Sequence, residues 1–146
     1  MSSYPTAPSR LDFGGSGHQA PTLDPLRKGS TFMRALEIEG IDLTGHEARM
    51  SVKESYDAVP EIFFSSTEVN VANPRLTVEP ETTNTPARIT LISPAAFNET
   101  LDGGDSNCIP RRKKYWYDME LITPGGEVYA FLEGEFWIVD ELTTES

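Results

Sequence analysis

The chain is predicted to be all-β. Apolar residues recur at every second position over most of its length, turn residues punctuate these runs, and one stretch alone carries helical signals. The alternating runs number about seven, which suits a small antiparallel sandwich or barrel. Ahead of them lies a segment that follows neither period.

That segment spans residues 1–28. Pro5, Pro8, Pro21 and Pro25 break helices, and Gly14, Gly15 and Gly17 weaken strands. Its larger apolar residues, Tyr4, Leu11, Phe13, Leu23 and Leu26, stand singly. The segment reads either as a disordered tail or as an extended N-terminal arm, mobile in the free protein. The arm is the expectation taken here, with those five side chains as pegs into a neighbouring subunit. A hydrophobic fraction of 38% agrees with a stretch that adds little to the core. The β-domain is expected over 29–143, leaving 144–146 as a short tail.

From Gly29 the period is two. Phe32, Leu36 and Ile38 alternate with Met33, Ala35, Glu37 and Glu39, and Gly40 turns the chain. Ile41, Leu43, Ala48, Met50 and Val52 then line one face of the next strand, with Arg49, Ser51 and Lys53 outward and Gly45 as a bend. These two segments read as a hairpin. Residues 62–64 and 75–78 form short strands that Pro60, Pro74 and Pro80 confine to edges or loop borders. A firmer strand covers 87–93. Residues 94–101 are the one helical stretch: Ser93 is a candidate cap, Pro94 suits the first helical position, and Gly103 ends a turn or two.

The last third is the clearest. Tyr115, Tyr117, Met119 and Leu121 point inward between Trp116, Asp118 and Glu120. Thr123-Pro124-Gly125-Gly126 is a turn, and the return strand starts at Val128, with a bulge expected at Glu133-Gly134.

Charge narrows the partners. Twelve basic against 23 acidic residues leave a net −11, a surface that repels phosphate backbones and anionic membranes. No run approaches the ~20 apolar residues that span a bilayer, and the opening residues lack the pattern of a secretory signal. Synthesis in a reducing cytoplasm is expected. Cys108 is the sole cysteine, so an intrachain disulfide and a thiolate metal cluster are both excluded.

Catalytic signals are weak. His18 and His46 have no ligand-spaced companions, so they read as satisfied or solvated histidines. No Ser-His-Asp or Cys-His signature is present, and no enzyme, cofactor or small-molecule substrate is expected. Asp102-Gly103-Gly104-Asp105-Ser106-Asn107 lacks the closing Glu and glycine placement of a calcium loop. It reads as a polar turn. Asn98-Glu99-Thr100 has the form of a glycosylation triplet, here by chance. Arg111-Arg112-Lys113-Lys114 reverses the local charge: it is either gatekeeping charge ahead of an aromatic strand or a docking patch for an acidic surface. Base stacking on Tyr115, Trp116 and Tyr117 is the weaker alternative, because two of the three rings belong to a core face.

Several of these landmarks together resemble a known domain. Gly29-Ser30-Thr31-Phe32, Ile41-Asp42-Leu43-Thr44-Gly45 and Ala48-Arg49-Met50 come first. Arg88-Ile89-Thr90-Leu91 follows, then the strand from Tyr115 to Leu121, a Pro-Gly-Gly turn, and Leu132-Glu133-Gly134. This succession, over residues 29–142, resembles a small β-domain common in structural-protein gene clusters of tailed bacteriophages, and the amino-terminal part of upper baseplate proteins that carry receptor-binding fibres. The preceding arm, His46 where an aromatic residue commonly stands, and residues 108–114 depart from that pattern.

The resemblance implies an immunoglobulin-like sandwich in a virion structural protein, a tail or baseplate connector. Its partners would be other virion proteins and copies of itself, with no nucleic acid and no membrane. The arm pegs and the basic run from Arg111 to Lys114 are the expected contact residues. The alternatives are a capsid decoration protein and an assembly or binding module absent from the particle.

Overall fold

The computed structural model describes residues 9–12 (backbone alone), 23, 25–101 and 111–140. The described strands are β1 (Ser9–Asp12), β2 (Leu26–Arg27), β3 (Phe32–Glu39), β4 (Glu47–Lys53), β5 (Ile62–Ser65), β6 (Arg75–Glu79), β7 (Ala87–Ser93), β8 (Arg112–Ile122) and β9 (Val128–Val139). One short helix, α1 (Ala95–Asn98), lies between β7 and β8. The seven strands from β3 onward are those the alternation predicts.

They form two sheets, ordered β1-β3-β7-β6 and β2-β9-β8-β4-β5. Naming β3 to β9 as B, C, C′, D, E, F and G turns these orders into B-E-D and G-F-C-C′, the strand neighbours of an immunoglobulin-type sandwich. The two short N-terminal strands add parallel pairings, β1 to β3 and β2 to β9, so the sandwich is not wholly antiparallel. Every strand from β3 on pairs antiparallel with its neighbours of that set.

Alternation sets the core. Ile89 and Leu91 from β7 face Met50, Val52, Tyr115, Tyr117 and Met119 from the other sheet, all buried. Among the described strands β6 and β5, the two that the flanking prolines confine, each close one edge of a sheet, and the short β1 and β2 close the others. One inward position holds a charge: Arg34 shares the parity of Phe32, Leu36 and Ile38, is 8% exposed, and sets its guanidinium 5.6 Å from the Phe32 ring centre. The alternation in the sequence passes over this residue.

Four expectations need correction. Strands β3 and β4 are not a hairpin: β3 pairs with β7 and β4 with β8, in opposite sheets. Each carries a full apolar face, and the two faces cover the core from opposite sides. The link between them plunges Leu43 into that core, 1% exposed, and needs positive φ at Gly40 and Gly45. Its turn is braced by Asp42, which accepts from the Thr44 backbone N–H and hydroxyl, bonds that hold its carboxyl below the usual carboxylate range.

The second correction is the bulge. The β8–β9 register shifts between Met119/Glu120, so that Phe131 is the extra residue, while Glu133 and Gly134 stay paired with Asp118 and Tyr117. The extra residue lets Phe131 and Leu132 both turn inward.

The third concerns Ser93, which does not cap α1. Its hydroxyl donates to Asn98 Oδ1, and the Asn98 amide donates to Ser30 O at 2.7 Å and Ser93 O at 2.9 Å. Asn98, fully buried, ties the helix to the chain entering β3. That amide is unavailable to a glycan.

The fourth is the arm. Leu23 and Leu26, 5% and 0% exposed, are buried in the chain's own core, and Leu26 pairs with Ile138. The sandwich takes in residues before Gly29.

Gly134 repays attention at the β8–β9 pairing. A Cβ there would lie 3.0 Å from Tyr117 Cε1 and 3.2 Å from its hydroxyl oxygen. The missing side chain is what lets the ring come this close to β9. Gly134→Ala is therefore expected to cost about 1–3 kcal/mol through overpacking, whereas Gly125→Ala, whose Cβ would meet nothing nearer than 3.8 Å, should be close to neutral. Equal denaturation midpoints for the two variants would contradict this packing.

Burial also pushes the Tyr117 hydroxyl up to about 12 from its ordinary 10.0. The folded state then holds its proton where the unfolded state has lost it, so stability present below pH ~10 falls as pH rises toward ~12. In thermal melts across that window the wild type should lose more stability than Tyr117→Phe. Parallel curves would show that the phenol ionises freely.

Candidate interaction surfaces

The expected contact residues separate in the structure. Tyr4 and Phe13 lie outside the described residues. Leu11 falls in β1, where its backbone pairs with Ile38. Leu23 and Leu26 are committed to the core and present nothing to a partner.

The basic run opens β8, and each of its cations is engaged within the chain. Arg111 Nε donates to Asp140 Oδ2 at 3.1 Å, and Asp140 also receives Lys28 at 3.4 Å. Arg112 stands 5.5 Å over the Trp137 ring. Lys113 pairs with Glu54 at 2.9 Å, and Lys114 with Glu135 at 3.7 Å. Lys114 also sits 4.7 Å over Trp116. Alternation is the cause: Arg112 and Lys114 share the outer parity with Trp116, and cross-strand register sets Trp137 opposite Lys114. The four cations fasten β8 to its surroundings, and none is a bare patch.

That outer face of the five-stranded sheet is the most featured surface. One row pairs Arg49 with Glu120, Nε to Oε1 2.7 Å. The next crosses Phe63, Ser51, Asp118 and Glu133, and the next Lys53, Trp116 and Glu135. Between these last rows and the loop at residues 54–60 is an open hollow of about 660 Å³. Trp116, 48% exposed, and Asp118 and Glu133 line its floor, and Ser55 and Tyr56 its wall. The wall is pinned by the Lys113–Glu54 pair and by Glu61 N–H donating to Val52 O at 2.7 Å. The sequence placed Ser51, Lys53, Trp116 and Asp118 outward, but nothing in it joins them to residues 54–56.

A second raised feature is the loop between β5 and β6. Val69 and Val71 are 91% and 71% exposed. The backbone carrying them is held by local bonds: Asn70 N–H to Glu68, Ala72 N–H to Asn70 Oδ1, and Arg75 Nη1 to Val71 O. Two valines thus stand out on a fixed knuckle where the edge strands of both sheets meet.

Among the described residues no group of three or more His, Cys, Asp or Glu is placed to hold a metal. His46 Nδ1 lies 3.2 Å from Thr44 O. His18, Cys108 and the polar turn at 102–107 fall outside the described residues. No protein-family model and no curated protein sequence matches the chain. Fold and surfaces together define an all-β sandwich.

Replacing Arg111, Arg112, Lys113 and Lys114 by serine removes pairs worth about 0–1 kcal/mol each at such exposure. It also leaves a chain of net charge −11 more acidic. A drop in denaturation midpoint is expected, and raising salt to ~0.5 M should narrow the gap to wild type. An unchanged midpoint at low salt would show that these contacts hold nothing.

Proposed function

We propose that this chain is a structural protein of a tailed-bacteriophage particle, a tail or baseplate connector that joins neighbouring subunits through its sandwich surface. The observation that carries the reading is where the landmarks of the resemblance fall. Gly29 to Phe32 lead into β3, Leu43-Thr44-Gly45 turn the chain toward β4, and Arg88 to Leu91 lie in β7. Tyr115 to Leu121 lie in β8, the Pro-Gly-Gly turn joins β8 to β9, and Leu132 to Gly134 lie in β9. Every landmark sits on one element or junction of a single sandwich, as a shared domain would require.

The contact residues differ from those the sequence suggested. With Leu23, Leu26 and the basic run engaged internally, the docking role passes to Val69 and Val71 and to the β5 and β6 edges beside them. A connector present in many copies needs little affinity at each contact, because repeated engagement holds the assembly.

Mass spectrometry of purified particles, with heads and tails separated, tests the reading. The chain should be found with the tails, and Val69→Asp with Val71→Asp should lower its incorporation without shifting its denaturation midpoint. Recovery with the heads would make it a decoration protein. Absence from the particle would leave an assembly or binding module and remove the virion reading.

A further inference from the structure

The hollow on the outer sheet face differs from its surroundings in one respect. Around it, charges are matched inside the chain: Arg49 with Glu120, Lys113 with Glu54, Lys114 with Glu135. Within it, Ser51, Lys53, Tyr56, Asp118 and Glu133 make no side-chain hydrogen bond or ion pair among the described residues. Asp118 and Glu133 are moreover directly opposite each other in the β8–β9 register. Like charges in that relation are destabilising. Donors and acceptors of Ser51, Lys53, Asp118 and Glu133 with no partner among the described residues therefore border a concavity floored by a half-exposed indole, and Tyr56, 95% exposed, stands at its rim.

We propose that this hollow binds a neutral carbohydrate. The ligand class follows from elimination. An anion would meet Asp118 and Glu133. A guanidinium or ammonium would satisfy those carboxylates but leave the Lys53 ammonium and the Ser51 and Tyr56 hydroxyls without an acceptor. A purely apolar group would make no use of these polar side chains. A pyranose carries hydroxyls that both donate and accept, and an apolar C–H face that lies on an aromatic ring. Trp116 is the platform for that face, with Lys114 fixing the indole by its 4.7 Å approach. Asp118 and Glu133 accept from sugar hydroxyls, and Lys53, Ser51 and Tyr56 donate to them. A few convergent polar groups about an apolar surface is the ordinary make-up of a small-ligand site. The wall pinned at Glu54 and Glu61 means that little ordering is lost on binding.

The site stands independently of the virion reading, since it is tested on the isolated full chain. Two-dimensional ¹H–¹⁵N spectra separate the indole N–H of Trp116 from that of Trp137. The titrants are methyl glycosides of glucose, galactose, mannose, rhamnose and N-acetylglucosamine, each also as a short oligosaccharide, with arginine amide as the cationic competitor. At least one sugar should move the Trp116 indole and the amides of Ser51, Asp118 and Glu133 saturably, with Kd about 1 mM, and leave Trp137 in place. Affinity that rises with oligosaccharide length assigns the source as a polysaccharide chain, and affinity independent of length a single terminal sugar. Asp118→Asn, which also relieves the like-charge pair, and Trp116→Ala should each weaken binding about tenfold or more while the sandwich still folds, as the rest of the spectrum shows, and Trp116→Tyr should recover part of it. No shift with any sugar, undiminished binding in Trp116→Ala, or shifts with arginine amide alone would each overturn the proposal.

Discussion

Phe32 stands where the two sheets meet. No disulfide joins them, because the chain has one cysteine, and the described core between them is built of apolar side chains. The Phe32 ring packs edge-on to Phe136 of β9 at 5.6 Å and tilted against Phe64 of β5 at 6.5 Å, so one side chain of the first sheet touches both flanks of the second. Arg34 lies over the other reach of the same ring. Other fits complete the core: Tyr117 lies close against β9 where Gly134 has no side chain, and Leu43, in the link from β3 to β4, is buried with the rest. A cross-link in other sandwiches of this strand order is replaced here by fit.

What the sequence revealed and what it hid divide along a physical line. Period two is a local property, so β3 to β9 and the inward set Tyr115, Tyr117, Met119 and Leu121 were legible from spacing alone. Which strand pairs with which is not local. The pattern that marks 32–39 and 41–53 as neighbours in a hairpin is equally the pattern of two strands on opposite sides of a core. The bulge was misplaced for a related reason: a glycine draws attention as a local defect, yet Gly134 answers to the Tyr117 ring across the ladder, and the extra residue is Phe131. Leu26 looked solitary because its partners on β9 lie far along the chain.

The surfaces were less legible than the core, and again for want of register. Four consecutive cations read as a patch in one dimension. In three they fall to both faces of a strand, and Glu54, Glu135, Trp137 and Asp140 come from elsewhere to meet them. Conversely Asp118 and Glu133, unremarkable in the sequence, become a like-charged couple once β8 and β9 are aligned. The surfaces proposed for the connector and for the sugar are different parts of the sandwich, the β5–β6 side and the outer β4-β8-β9 face.

The parallel pairing of β2 with β9 also has a consequence for synthesis. Leu26 and Arg27 precede almost every other described strand, while Ile138 and Val139 close the last of them. As the chain leaves the ribosome, β3 and β7 can find each other early, but Leu26 has no seat until β9 has emerged. Contacts of such sequence separation form late, and an apolar side chain waiting for its partner is a point where nascent chains stick to one another. Leu26, one of the single residues that looked like pegs for a neighbour, is thus a hazard of timing: its place in the core exists only when translation has delivered both β2 and β9.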